Sequence, residues 1–293
     1  MVNEDFEKIM EAARQQLTDG DAPAPRAMAE AERCLSRGDA KAAVELLLPL
    51  CEQLFEVGKD AVEDDEAQPT YFDLDNIVEQ VLLVDTMKPE RELRPTLLPF
   101  VHTYALCAFA LHAEGRYEEA ATWLQRALAW NPVQPHLYFE ISEAFKKMGR
   151  FDQADAWIDR AYVVCADPLA LARWYRAKSF CAVEREEYEL AAAELLFSTA
   201  FEQSPAVTSE LEYLKTERGQ DFTDMDRETV VRTLQEHHLP LGPNEAALQA
   251  LATSVAIARE NGDLPTAREC ALRLYGLTGD DSAKELYDSL VEE

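Results

Sequence analysis

Glycine is scarce in this chain, with 10 in 293 residues. Tight β-hairpins depend on residues that accept positive φ, so so few glycines argue against a turn-rich β fold. No segment alternates apolar and polar residues through several strands. Long apolar runs are missing too: stretches such as Ile77–Val84 fall far short of the roughly 20 residues that span a bilayer as a helix. Basic residues are outnumbered two to one, 28 Lys and Arg against 56 Asp and Glu, for a net charge of −28. Binding to a phosphate backbone needs clustered Lys and Arg, so neither nucleic acid nor an anionic membrane is an expected partner. The six cysteines contain no Cys-x-x-Cys pair and fall mostly at inward helix places, as small buried apolar residues rather than disulfides or metal ligands. The start, Met1-Val2-Asn3-Glu4-Asp5, is acidic and lacks the apolar segment of a secretory signal. Together these features lead us to expect a reducing, cytoplasmic setting.

Catalytic signatures are equally sparse. Gly58-Lys59 is followed by Asp60 rather than Ser or Thr, and no upstream glycine completes a phosphate loop. Gly-x-Ser-x-Gly, His-Glu-x-x-His and Gly-x-Gly-x-x-Gly do not occur. His237 and His238 are adjacent and point to different sides of a helix, so they cannot form an i, i+4 metal pair. Asp73 and Asp75 lack the loop glycine and distal Glu of a calcium loop. The sequence therefore predicts a protein that is not an enzyme, with no cofactor and no metal.

What the chain does contain is a repeat of 34 residues. Tyr104 recurs as Tyr138, Leu111 as Phe145, Gly115-Arg116-Tyr117 as Gly149-Arg150-Phe151, Ala120 as Ala154, Leu124 as Ile158, and Arg126-Ala127 as Arg160-Ala161. Tyr104, Cys107, Ala108 and Leu111 make one helical face. Gly115 permits the left-handed turn that ends it, and Ala120, Leu124 and Ala127 give the second helix a small inner face. Asn131-Pro132 stops that helix, because proline disfavours helical geometry at the residue before it. A lone hairpin cannot bury its apolar face, so copies must stack.

These residues resemble the tetratricopeptide repeat, with its early aromatic, its small eighth and twentieth residues, its mid-repeat turn and its terminal proline. Ala108, Ser142, Ala120 and Ala154 fall at the small places. The resemblance implies an all-α fold, a right-handed superhelical solenoid of antiparallel helical hairpins. It is clear over 101–134 and 135–168 and weaker over 172–205, where Glu186 replaces the turn glycine and Lys178 falls on a leucine place. Within a tetratricopeptide-like array at 77–205, these copies are flanked by degenerate hairpins in 1–57 and 206–293, with an acidic linker at 58–76. The flanks hold the acid: residues 1–100 carry 10 basic and 23 acidic residues, against 10 and 15 in 101–203. Along the chain we expect a helix at Glu4–Leu17, a Gly/Pro loop at Asp19–Pro25, a hairpin at Arg26–Val57, a helix started by Thr223 and Asp226, a last hairpin at Leu248–Gly279 and a terminal helix near Ser282–Val291.

In the tetratricopeptide family the second, fifth, ninth and twelfth places of each repeat line a concave groove. The resemblance thus marks His102, Ala105, Phe109 and His112, then His136, Phe139, Glu143 and Lys146, with Lys147 beside them. Arg173 and Phe180 come from the third copy. Three phenylalanines and several cations in one stripe imply a groove for a protein or peptide with apolar and acidic residues. Ordinary core packing of the phenylalanines is the competing reading. Ala105 and Phe109 occupy places where some co-chaperones hold a carboxylate with Asn and Lys, so that mode is not expected. The implied function is a protein–protein interaction scaffold; a secretion or assembly chaperone, or a peptide-responsive regulator, is the alternative within the same fold.

Overall fold

The structure, a computed structural model, describes Glu11 and residues 23–62, 70–96 and 98–292. The helix expected at Glu4–Leu17 lies outside them, apart from Glu11. Fourteen α-helices of at least ten residues make up about three quarters of the described chain. They divide into two compact units, Met1–Glu79 with Met87–Gly149, and Gln80–Thr86 with Arg150–Glu293.

In the first unit, α1 (Pro23–Ser36) and α2 (Ala40–Val62) form a hairpin around Gly38, at φ +80. Pro23 and Pro25 start a helix rather than extending a loop, because the first turn of a helix has no N–H partner for a proline to forfeit. Ala43, Leu47, Cys51 and Leu54, spaced by four, four and three, form the inner stripe of α2. It packs against α4 (Phe100–Ala113), which pairs with α5 (Tyr117–Trp130), and α5 in turn packs on α6 (Pro135–Lys147). Gly58 fits this packing because it has no side chain. A Cβ there would come within 2.5 Å of Trp130, whose ring stacks on Phe100 at 3.6 Å between centroids.

The acidic stretch is less of a linker than its charge suggests. Helix α2 continues to Val62, and Thr70–Phe72 form strand β1, pairing in parallel with β2 (Leu93–Pro95) across α3 (Ile77–Met87). Residues 63–69 lie outside the described chain. This small sheet corrects the expectation of a chain without strands, and it has a positioning role. It leads into Asp73, whose N–H donates to the Trp130 carbonyl at 3.0 Å and whose carboxylate accepts from the Val101 N–H at 2.8 Å. Helix α4 begins after Pro99, which has no side chain to cap it. Asp73 supplies that cap from 28 residues upstream. Burial pushes the Asp73 carboxyl up to about 6, against the opposing pull of the Val101 N–H. Nearby, Glu79 accepts from the Asp75 N–H and from the buried Asn131 amide, both at 2.8 Å. Burial raises its pKa as well.

In the second unit, α7 (Phe151–Ala161) and a 3-10 turn (Tyr162–Val164) precede α8 (Pro168–Glu184) and α9 (Tyr188–Ser198). Glu186 adopts φ +62, the left-handed conformation that Gly115 and Gly149 adopt at +86 and +70. The third hairpin therefore keeps the repeat geometry without its glycine. Helix α10 (Pro205–Glu217) ends before Gly219, and α11 (Arg227–Glu236) follows. Its cap is Asp226, accepting from the Thr229 N–H at 2.8 Å; Thr223 instead bonds Asp221. The last hairpin joins α12 (Glu245–Glu260) to α13 (Leu264–Thr278) through Gly262, and α14 (Asp281–Glu292) packs on α13. Ala120 and Ala154 are both fully buried, as are Ala127 and Ala161.

Candidate functional site

The expected groove stripe separates into exposed, paired and buried members. On α4, His102 is exposed and Phe109 keeps 58% of its surface exposed. Phe109, His112 and His136 share a cavity of about 210 Å³ with Ala105, Ala108, Ala120, Leu124 and Glu140. The small side chains that let α4 and α5 approach form its floor, and α6 contributes the far wall. His112 packs edge-on to Tyr117 at 5.0 Å, and its Nε2 is buried without a hydrogen-bond partner. On α6, His136 lies 3.7 Å from the Glu140 carboxylate.

Phe139 is a correction. It is only 2% exposed and belongs to the core, not to a groove lining. It stands at the register place of Ala105, so the place left open in the first copy holds a covered ring in the second. Lys146 is also largely covered, its ammonium 2.9 Å from Glu143; Lys147 beside it is exposed. Arg173 and Phe180 lie on α8 in the second unit. There Arg173 is half-buried, and Phe180, 38% exposed, rests against Phe151 with ring centroids 6.0 Å apart.

Two arrangements escaped the stripe reading. In the second unit Lys178, at its leucine place, is buried and donates to Asp155 at 2.5 Å and Asp159 at 2.8 Å; Arg185 also holds Asp155, at 2.8 Å. Burial alone would depress the lysine and raise the aspartate. The hydrogen bonds outweigh it in both, so the Lys178 pKa rises and the Asp155 pKa falls. Glu194 on α9 is fully buried with both carboxyl oxygens unpartnered. Burial drives its pKa well above the usual carboxylate range, opposed by the charge of Lys178. The signal for both lay in the sequence as charges inside otherwise apolar helical stripes.

The second arrangement is an aromatic cavity of about 270 Å³ in the first unit, lined by residues of α2, α4 and α5 around Arg126. Its members lie far apart in sequence, on helices whose mutual placement the repeat pattern alone does not specify. Among the described residues no cluster of three or more His, Cys, Asp or Glu is placed to hold a metal ion. No described helix is long and apolar enough to cross a membrane.

Comparison with known proteins yields little beyond the repeat. No curated protein matches the chain significantly. The crystal structure of BtubC (BKLC) from P. vanneervenii aligns over 98% of this chain and 93% of its own, at 13% identity and a TM-score of 0.33, values at which the likeness does not bear on function. The family model for the tetratricopeptide repeat matches residues 111–161, from the end of α4 through α7. The match to a tetratricopeptide repeat is therefore confined to residues 111–161, the stretch that holds the turns at Gly115 and Gly149.

Proposed function

We propose that this protein is a cytoplasmic, non-catalytic scaffold that binds a peptide segment of a partner protein over the cavity beneath Phe109. The tetratricopeptide match supports a protein-interaction role in general. The observation that carries the specific site is Phe109, a phenylalanine 58% exposed beside a cavity floored by Ala105, Ala108 and Ala120. An exposed aromatic over a small-residue floor offers a partner one apolar anchor point. A volume of about 210 Å³ suits one aliphatic or aromatic side chain rather than a drug-sized ligand. His112 Nε2 offers a hydrogen bond that no described residue satisfies. Exposed Lys147 favours an acidic residue on the same partner.

Affinity capture from the native host, with wild-type and Phe109→Ala baits, tests this. The variant should lose the partner while its melting temperature stays within about 1 °C, since truncating an exposed ring costs little stability. Phe139→Ala should instead cost about 3–5 kcal/mol as a core truncation, with binding by the folded fraction retained. A partner captured equally by wild-type and Phe109→Ala chains would overturn this site.

A further inference from the structure

Arginine has carboxylates to choose from in a chain with twice as many acids as bases. Arg33, Arg116, Arg185 and Arg273 each pair with a glutamate or aspartate close by in sequence or in space. Arg126 does not. Its guanidinium lies 4.1 Å from the ring centre of Phe55 and 4.2 Å from that of Trp123, and among the described residues it makes no ion pair or hydrogen bond. Ring contacts engage the faces of a guanidinium and leave its in-plane N–H donors for an acceptor. None of its nitrogens is sealed in the protein. The residue borders the cavity of about 270 Å³, together with Phe55, Gly58, Lys59, Tyr104 and Trp130.

The chemistry of that lining is specific. Three aromatic rings form apolar walls, and among the described lining residues two cations are the only formal charges. Lys59 keeps 44% of its side chain exposed and pairs with Glu56 at 2.5 Å, so it sits at an open edge rather than at the bottom. The cavity volume equals roughly nine waters' worth of space. That suits a single ring with a short acidic arm. Arg126 has a planar fork that matches a carboxylate in two parallel hydrogen bonds. Pinned over two rings, it loses little side-chain freedom on binding.

We infer that the Arg126 cavity is a binding site for a small aromatic carboxylate, held by Arg126 through its carboxylate and by Phe55, Tyr104 and Trp130 through its ring. The site is separate from the cavity under Phe109: α2, α4 and α5 line it, where α4, α5 and α6 line the other. The local sequence builds it once only. Arg160 repeats the stacking on Trp157, at 4.5 Å, but Val164 stands where Trp130 stands in the first copy.

Titration of the full chain with phenylacetate tests this, followed by tryptophan fluorescence, because Trp123 and Trp130 flank the site. Calorimetry supplies the stoichiometry. We expect one saturable site with a dissociation constant of about 1 mM or tighter. Phenylacetamide, which keeps the ring and loses the charge, should bind at least tenfold more weakly. Arg126→Gln should weaken phenylacetate by at least tenfold. Ala129→Leu, which adds bulk at the cavity's exposed border and leaves both cations in place, should do the same and covers the case in which Arg126→Gln does not fold. Absence of saturation, equal binding of acid and amide, or undiminished binding by a folded Ala129→Leu chain would overturn the proposal.

Discussion

Glu194→Met should stabilise this protein at neutral pH. The Glu194 carboxyl is fully buried and neither oxygen has a hydrogen-bond partner, so the folded state forfeits the hydration of that group without replacement. An unsatisfied buried polar group costs about 1–3 kcal/mol, more when it is charged. Methionine has nearly the same length and no polar oxygen, so the expected gain is of that same order. The contrary outcome has a specific physical basis. If the Glu194 charge were the partner Lys178 depends on, its removal would cost about 3–5 kcal/mol, the usual effect of breaking a buried pair. The geometry favours the gain. Lys178 already holds Asp155 at 2.5 Å and Asp159 at 2.8 Å, and so keeps two carboxylates after Glu194 is gone.

The pH dependence provides an independent check. The folded-state pKa of Glu194 is raised above its ordinary 4.5, so the folded chain binds this proton more tightly than the unfolded chain does. Stability from this group is complete below about 4.5 and is lost as pH rises through the folded value. Urea unfolding of wild-type and Glu194→Gln chains from pH 4 to pH 8 isolates that loss. The glutamine keeps a polar side chain but cannot ionise, so the two curves should meet near pH 4 and diverge upward, with the variant the more stable. Parallel curves, or a Glu194→Met chain less stable by more than about 1 kcal/mol at pH 7.5, would overturn the assignment of Glu194 as an uncompensated buried acid.

Glu186→Gly should raise stability by about 0.5–1 kcal/mol, because an exposed glutamate at φ +62 bears the left-handed strain that glycine escapes; a lower urea midpoint would show that the turn is held by other contacts. Asp73→Asn should keep the cap on the Val101 N–H while flattening the pH profile. Its carboxyl sits at about 6 in the folded chain against 3.8 ordinarily, so wild-type loses stability as pH rises through that window, by on the order of 2 kcal/mol. Matching wild-type and variant profiles between pH 4 and pH 7 would refute the link.

Legibility in the sequence followed the physics of each feature. The hairpins were legible because Gly115, Gly149, Ala120 and Ala154 are local requirements, a positive φ and a close helix approach, repeated at a fixed period. The parallel strand pair was not. Three residues on each side carry no alternation to detect, and their partners are set by α3 and by the ties from Asp73 to Trp130 and Val101. The expected groove stripe did not reveal the depth of each side chain. Depth depends on which residue lies opposite, and this separates exposed Phe109 from buried Phe139. The cation cluster at Lys178 announced itself only as a mismatch with the repeat, and the Arg126 cavity gave no signal at all.

The two clear copies make a natural experiment in what a repeat leaves free. Their matched places, Ala120 with Ala154 and Leu124 with Ile158, serve packing and are buried in both. Selection for the fold alone would also equalise the places facing cavities, yet there the copies differ most. Ala105 corresponds to Phe139, Phe109 to Glu143, His112 to Lys146 and Trp130 to Val164. The first copy combines a small residue with an exposed ring on one side, and a tryptophan with a ring-bound arginine on another. The second places a covered ring and an ion pair at the corresponding places. Apolar exposure of the Phe109 kind costs solubility, and a guanidinium without a carboxylate forgoes a stabilising pair in a chain rich in acids. The first cost is not required by the hairpin, because the second copy folds the same motif with Glu143 at the place of Phe109; the second is shared, since Arg160 stacks on Trp157 in the same way. The first copy is therefore where recognition should be sought, and its two cavities, with different linings, should answer to different ligands.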